Sequence, residues 1–138
     1  MIYTSYFGNL RNINGPYEVV SICLQPPKWF MGVNIRDLAP RSFDFREYKK
    51  NGDEQRMKES YLQNVLQLLG PEVILAKIFL ALSDKAQEIL AQEGDYWYKS
   101  PDFHVVLLCY EKPTGFCHRF VLSEYLNKYD IPVTELNV

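Results

Sequence analysis

The run His104-Val105-Val106-Leu107-Leu108-Cys109 decides the fold, and the residues after it, Tyr110-Glu111-Lys112-Pro113-Thr114-Gly115 and Phe116-Cys117-His118-Arg119, direct attention to function. An unbroken apolar stretch rich in Val and Leu suits a strand covered on both faces, because a strand with one wet face would alternate. Pro113 and Gly115 carry turn chemistry that ends it. Beyond the turn, Phe120, Val121, Tyr125 and Leu126 recur at helical spacing, so Cys117-His118-Arg119 is expected in the first turn of a helix. Free backbone N–H groups and the helix dipole favour negative charge there. The triplet is the strongest candidate site in the chain.

Outward from that strand, Ile2 to Phe7 reads as a first strand stopped by Gly8-Asn9, and Glu18 to Leu24 as a second. Pro26-Pro27 ends the second, since neither proline can donate to a ladder. Ser42 is positioned to cap a short helix reaching Lys50, with Asn51-Gly52 as its stop. Met57, Tyr61, Leu62, Val65, Leu66 and Leu69 then line one helical face, and Gly70-Pro71 closes that helix and opens the next. Ile74, Leu75, Ile78, Phe79 and Leu82 form a further stripe, continued by Ala86, Ile89 and Leu90 past a break at Ser83-Asp84. Ile131 to Leu136 reads as a last short strand, and its proline places it at an edge.

Strands separated by helices predict an α/β fold, a single compact domain over residues 1–138 with a mostly parallel sheet of about four strands flanked by helices. Ligands of such sheets bind beyond the carboxyl ends of the strands. Three segments are expected to meet there: Phe7 to Arg11, Gln25 to Phe30 and Tyr110 to Arg119.

With 47% hydrophobic and 23% charged residues the chain has the makings of a globular core. The net charge of −2 hides a mild asymmetry, +2 over Met1 to Tyr61 (nine basic, seven acidic) and −4 over the rest (six basic, ten acidic). That is too little for nucleic-acid binding by bulk counterion release, although Lys28 to Lys50 holds six positive and three negative residues and leaves a local basic groove open. Cys23, Cys109 and Cys117 make no disulfide framework, and the start lacks signal-peptide character, so a cytoplasmic protein with free thiols is expected. The longest apolar cluster, Val73 to Leu82, is interrupted by Lys77 and too short to cross a bilayer, so no membrane association is expected.

Candidate chemistry centres on Cys117, His118 and Glu111. A thiol at a helix start beside a histidine is expected to have a lowered pKa, and the thiolate is the nucleophile. Glu111 is a candidate general acid or base. Arg119 offers a planar fork to a phosphate or carboxylate, or else an ion pair to Glu111 that pins the loop to the helix. Lys28, Trp29, Tyr110 and Tyr6 are the further candidate ligand contacts, and Lys49 another source of charge. Zinc on Cys109, Cys117, His118 and His104 is weighed and set aside, because Cys-x7-Cys-His departs from Cys-x2-4-Cys spacing and adjacent helical residues point about 100° apart. No metal and no cofactor are assigned. His104, opening an apolar strand, is expected to be a satisfied structural histidine. Neither G-x-x-x-x-G-K nor G-x-G-x-x-G occurs, and no serine motif supports a triad.

Pro27-Lys28-Trp29-Phe30, Leu38-Ala39-Pro40, Tyr48-Lys49, Tyr61, Leu107 to Pro113 and Phe116-Cys117-His118-Arg119 together resemble the small proteins called domain of unknown function 488. The resemblance implies a compact α/β protein in which Cys109, Glu111, Cys117, His118 and Arg119 belong to the signature. It implies no established reaction.

The functional expectation is binding, with or without turnover, of an anionic small molecule such as a nucleotide at the carboxyl edge of the sheet. As an enzyme the protein would be a hydrolase or transferase. Arg119→Ala is then expected to abolish binding and spare the fold. The alternative is a non-catalytic module that docks a protein or nucleic acid, its Cys-His-Arg motif being structural.

Overall fold

A computed structural model describes residues 1–15, 17–111 and 115–137. Four parallel strands, β1 (Ile2–Tyr6), β2 (Tyr17–Ser21), β3 (His104–Cys109) and β4 (Val133–Glu135), form one sheet in the order β2-β3-β1-β4. The run from Val105 to Cys109 is buried throughout, as its continuous apolar character requires, and β3 lies between β2 and β1. Strand β4 takes the edge beside β1, where Pro132 just ahead of it costs no ladder bond. The expected α/β class and parallel sheet are both present.

Helix α1 (Ser42–Asn51) ends at Gly52, whose φ of 66° is the left-handed conformation glycine adopts without strain. Its N-cap is Arg41, with no side-chain cap bond; Ser42 is instead the first helical residue. Helix α2 (Glu54–Tyr61) is capped by Asp53, which accepts from the Arg56 N–H. A π-helical turn, Leu62–Leu66, carries it into the short α3 (Gln67–Leu69). Gly70 (φ 82°) turns the chain, and Pro71 opens α4 (Pro71–Leu80). Ser83 caps α5 (Asp84–Ala91), and α6 (His118–Asn127) returns from β3 to β4. Among the described residues, no helix is long and apolar enough to cross a membrane.

The first connection departs from expectation. Phe7–Asn12 winds into a 3-10 turn, in which the buried Asn9 donates to Ser5 Oγ at 3.0 Å. Strand β2 ends at Ser21, short of the expected Leu24, although Ile22 N–H still reaches the Leu108 carbonyl at 3.0 Å. Because β2 and β3 run in register, Ser21 opposite Leu108, Cys23 and Cys109 leave the sheet at the same end. The turn expected at Pro113 lies outside the described residues, as does Lys112.

Candidate functional site

The three segments expected beyond the strand ends do converge. The Phe7 ring meets Trp29, Phe30 and Tyr110 edge-on, with centroids 5.9, 5.3 and 5.1 Å away. This aromatic cluster fills one side of the carboxyl edge. On the other side, beyond the ends of β2 and β3, lies a cavity of about 590 Å³, in the range of small-molecule sites.

The sulfurs of Cys109 and Cys117 form its floor, with His118 beside them. Cys117 is the N-cap of α6 and has extended backbone (φ −149°, ψ 143°), so it lies just outside the helix. The helical divergence expected between neighbouring side chains therefore does not apply. Cys117 and His118 turn toward the same point, and with Cys109 their ligand atoms all lie within 4.8 Å of one another. The two sulfurs meet at 1.97 Å, a disulfide, where free thiols were expected.

His118 Nε2 lies 2.6 Å from the Ile22 carbonyl, which can only accept, so in the neutral ring this nitrogen carries the proton. Burial drives the His118 pKa down to about 4, with the Arg119 charge lowering it further and the Ile22 bond opposing. The ring is thus neutral at physiological pH and supplies no cation to lower a Cys117 thiol pKa, which removes the help that His118 was expected to give. Burial likewise lifts the Cys23 thiol to about 11, keeping it protonated at the cavity wall.

Arg119 does not face the cavity. It is fully buried, and Nε and Nη2 donate to Glu135 Oε1 and Oε2 at 3.0 and 2.8 Å. Nη1 donates to the Glu111 carbonyl at 2.6 Å and to Cys109 Sγ at 3.3 Å. The expected Glu111–Arg119 ion pair does not form; the carboxylate that meets Arg119 belongs to Glu135 of the edge strand. Glu111 contributes its backbone to Arg119, while the exposed residue lines the cavity.

Of the other candidates, Tyr110 lines the cavity and anchors its hydroxyl on the Gln25 carbonyl at 2.6 Å. Trp29 is 61% exposed and packs on Phe7 away from the cavity, and the exposed Lys28 also lies outside the lining. Tyr6 sits under the Arg119 guanidinium, 5.9 Å from ring centre to Cζ. His104 packs between Tyr3 and Tyr17 at 5.5 and 5.2 Å and opens β3, at the opposite end of that strand from Cys109. Its buried Nδ1 has no hydrogen-bond partner among the described residues, contrary to the expectation of a satisfied ring.

The charge around the cavity comes from elsewhere. Arg36, Arg46 and Lys49 line it, against Glu111 as the acidic residue of the wall. Arg36 Nη1 is held by the Leu24 carbonyl at 2.9 Å, and Lys49 lies over the Phe45 ring at 5.1 Å. Arg46 and Lys49 have no ionic partner among the described residues. Helix periodicity held a signal for this pair: residues three apart on α1 share a face. No protein-family model matches this sequence, and no curated protein or solved structure matches it.

Proposed function

We propose that the protein binds an anionic, ring-bearing small molecule, of the class of a nucleotide or nucleotide-derived metabolite, in the cavity beyond β2 and β3. The observation that carries this reading is the pairing of three cations, Arg36, Arg46 and Lys49, with the aromatic walls Phe45, Tyr48, Tyr110 and Phe116. Guanidinium and ammonium groups on a partly enclosed wall meet a phosphate or carboxylate with charge-assisted bonds, and aromatic faces take the flat part of the same molecule. The phosphate contacts belong to these residues, with Arg119 holding the floor in place from below.

Turnover, where it occurs, would use the floor. With the cysteine pair reduced, Cys117 would serve as nucleophile and Glu111 as the protonic group at the wall, while neutral His118 offers a lone pair on Nδ1. The resemblance to domain of unknown function 488 fits the placing of four signature residues, Cys109, Glu111, Cys117 and His118, on one cavity surface.

Thermal-shift titration with mononucleotides tests the proposal. Saturating ligand at 100 times its Kd adds roughly 2.7 kcal/mol of stability. A nucleotide and sugar-phosphate panel that leaves the transition unmoved would overturn it.

A further inference from the structure

We infer that, with its cysteine pair reduced, the cavity floor is a site for a thiophilic divalent metal, zinc by chemistry, bound by Cys109 Sγ, Cys117 Sγ and His118 Nδ1. The site shares a cavity with the proposed anion but rests on other atoms, and needs no anion to form.

Four observations carry it. First, the three ligand atoms lie within 4.8 Å of one another, the cluster a single ion can join. Second, the Cα atoms of Cys109 and Cys117 stand 7.4 Å apart. Disulfides usually span roughly 4.4–6.8 Å at Cα, whereas two thiolates on one metal hold their backbones farther apart. Third, the histidine is already oriented: Nε2–H donates to the Ile22 carbonyl at 2.6 Å, so Nδ1 presents its lone pair toward the sulfurs. A ligating histidine whose other nitrogen donates to a backbone carbonyl is the usual outer-shell arrangement. Fourth, the charges balance. Arg119 and Glu135 form a neutral pair whose guanidinium is fully buried, and its Nη1 also reaches Cys109 Sγ at 3.3 Å, setting a cation against that sulfur. Two thiolates would leave a charge of −2 in this enclosed place, and a divalent ion cancels it.

Two cysteines and one histidine fill three positions of a tetrahedron. The fourth faces the cavity, open to a water or to an anionic ligand, as in sites that do chemistry. Loading the metal on the dithiol releases the thiol protons to solvent.

The test uses the whole chain under argon. A trialkylphosphine opens the S–S bond to two thiols, itself becoming the phosphine oxide with oxygen from water. The reduced protein is then titrated with Co²⁺ and back-titrated with Zn²⁺. The expected result is one equivalent of cobalt with sulfur-to-metal charge transfer and tetrahedral d–d absorption, displaced by zinc. Cys109→Ser and Cys117→Ser abolish the spectrum, and His118→Gln weakens binding at least tenfold. Arg46→Ala retains it, so that metal and anion claims fail separately. No uptake, or an unaltered spectrum in folded Cys109→Ser, overturns the inference. If the serine variants do not fold, X-ray absorption of the wild-type cobalt complex decides, and a shell without two sulfurs overturns it.

Discussion

Arg119 is clamped by Glu135, with two parallel N–H···O bonds of 3.0 and 2.8 Å joining the first turn of α6 to the edge strand β4. The guanidinium is fully enclosed, and its remaining nitrogen, Nη1, reaches the Glu111 carbonyl and Cys109 Sγ. One side chain thus fixes helix, edge strand and the cavity-side loop after β3.

Removing it should therefore damage the fold before it damages any ligand site. Arg119→Met leaves the Glu135 carboxylate, a quarter exposed, and the Glu111 carbonyl without their donor, which costs about 1–3 kcal/mol. Urea unfolding is expected to show a loss of that size, reversing the expectation that Arg119→Ala spares the fold. A variant as stable as wild type that no longer binds an anion would return Arg119 to the ligand.

His118 gives stability a pH signature. Its folded pKa is about 4 against an ordinary 6.5, so between those values the unfolded chain takes up a proton that the folded chain excludes. Stability from this group is complete above about 6.5, falls as pH drops through the window and is lost by about 4, amounting to about 3 kcal/mol. With the cysteine pair oxidised, wild-type stability should rise with pH across that window by this amount relative to His118→Gln, whose side chain does not titrate. Parallel curves would mean that the ring charges freely in the folded state.

Tyr61 ties the 3-10 turn Arg36–Leu38 to His118. Its hydroxyl donates to the Leu38 carbonyl at 2.6 Å and its ring stands edge-on to His118 at 5.4 Å. Tyr61→Phe keeps the ring and strands a buried carbonyl, a cost of about 1–3 kcal/mol. The loss should appear in thermal unfolding of the free protein; an unchanged midpoint would mean that water reaches Leu38.

Local chemistry made much of this fold readable. The Val-Leu run of β3 and the Gly52 and Gly70-Pro71 punctuation each act within a few residues, so their spacing alone identifies them. The partner of Arg119 was not readable, because Glu135 comes alongside only once β4 docks on β1. The cationic wall was readable only in part: the three-residue spacing puts Arg46 and Lys49 on one face of α1, but only the folded chain brings that face and Arg36 to one cavity. The π turn at Leu62–Leu66 left no trace in an apolar stripe that already suited an α-helix. Cys117 misled for the opposite reason, since a step of one residue, from helix to cap, changes where its sulfur points.

The cationic wall supplies the sharpest separation between ligand binding and scaffolding. Arg46 and Lys49 are exposed, line the cavity and have no ionic partner among the described residues, so truncating them leaves no buried group stranded. Arg46→Ala and Lys49→Ala should each weaken anion binding by about 1.4–2.8 kcal/mol, roughly 10–100-fold, with unfolding midpoints nearly unmoved. Lys28→Ala serves as the control, because that residue is also exposed but lies outside the cavity lining and should leave affinity unchanged. Isothermal titration at two salt concentrations distinguishes the cases: the wall variants lose both affinity and salt dependence, since each removes a charge that meets the anion. Equal losses in all three variants would mean that the anion feels only the general field of the basic half of the chain, and the cavity would then have no claim to it.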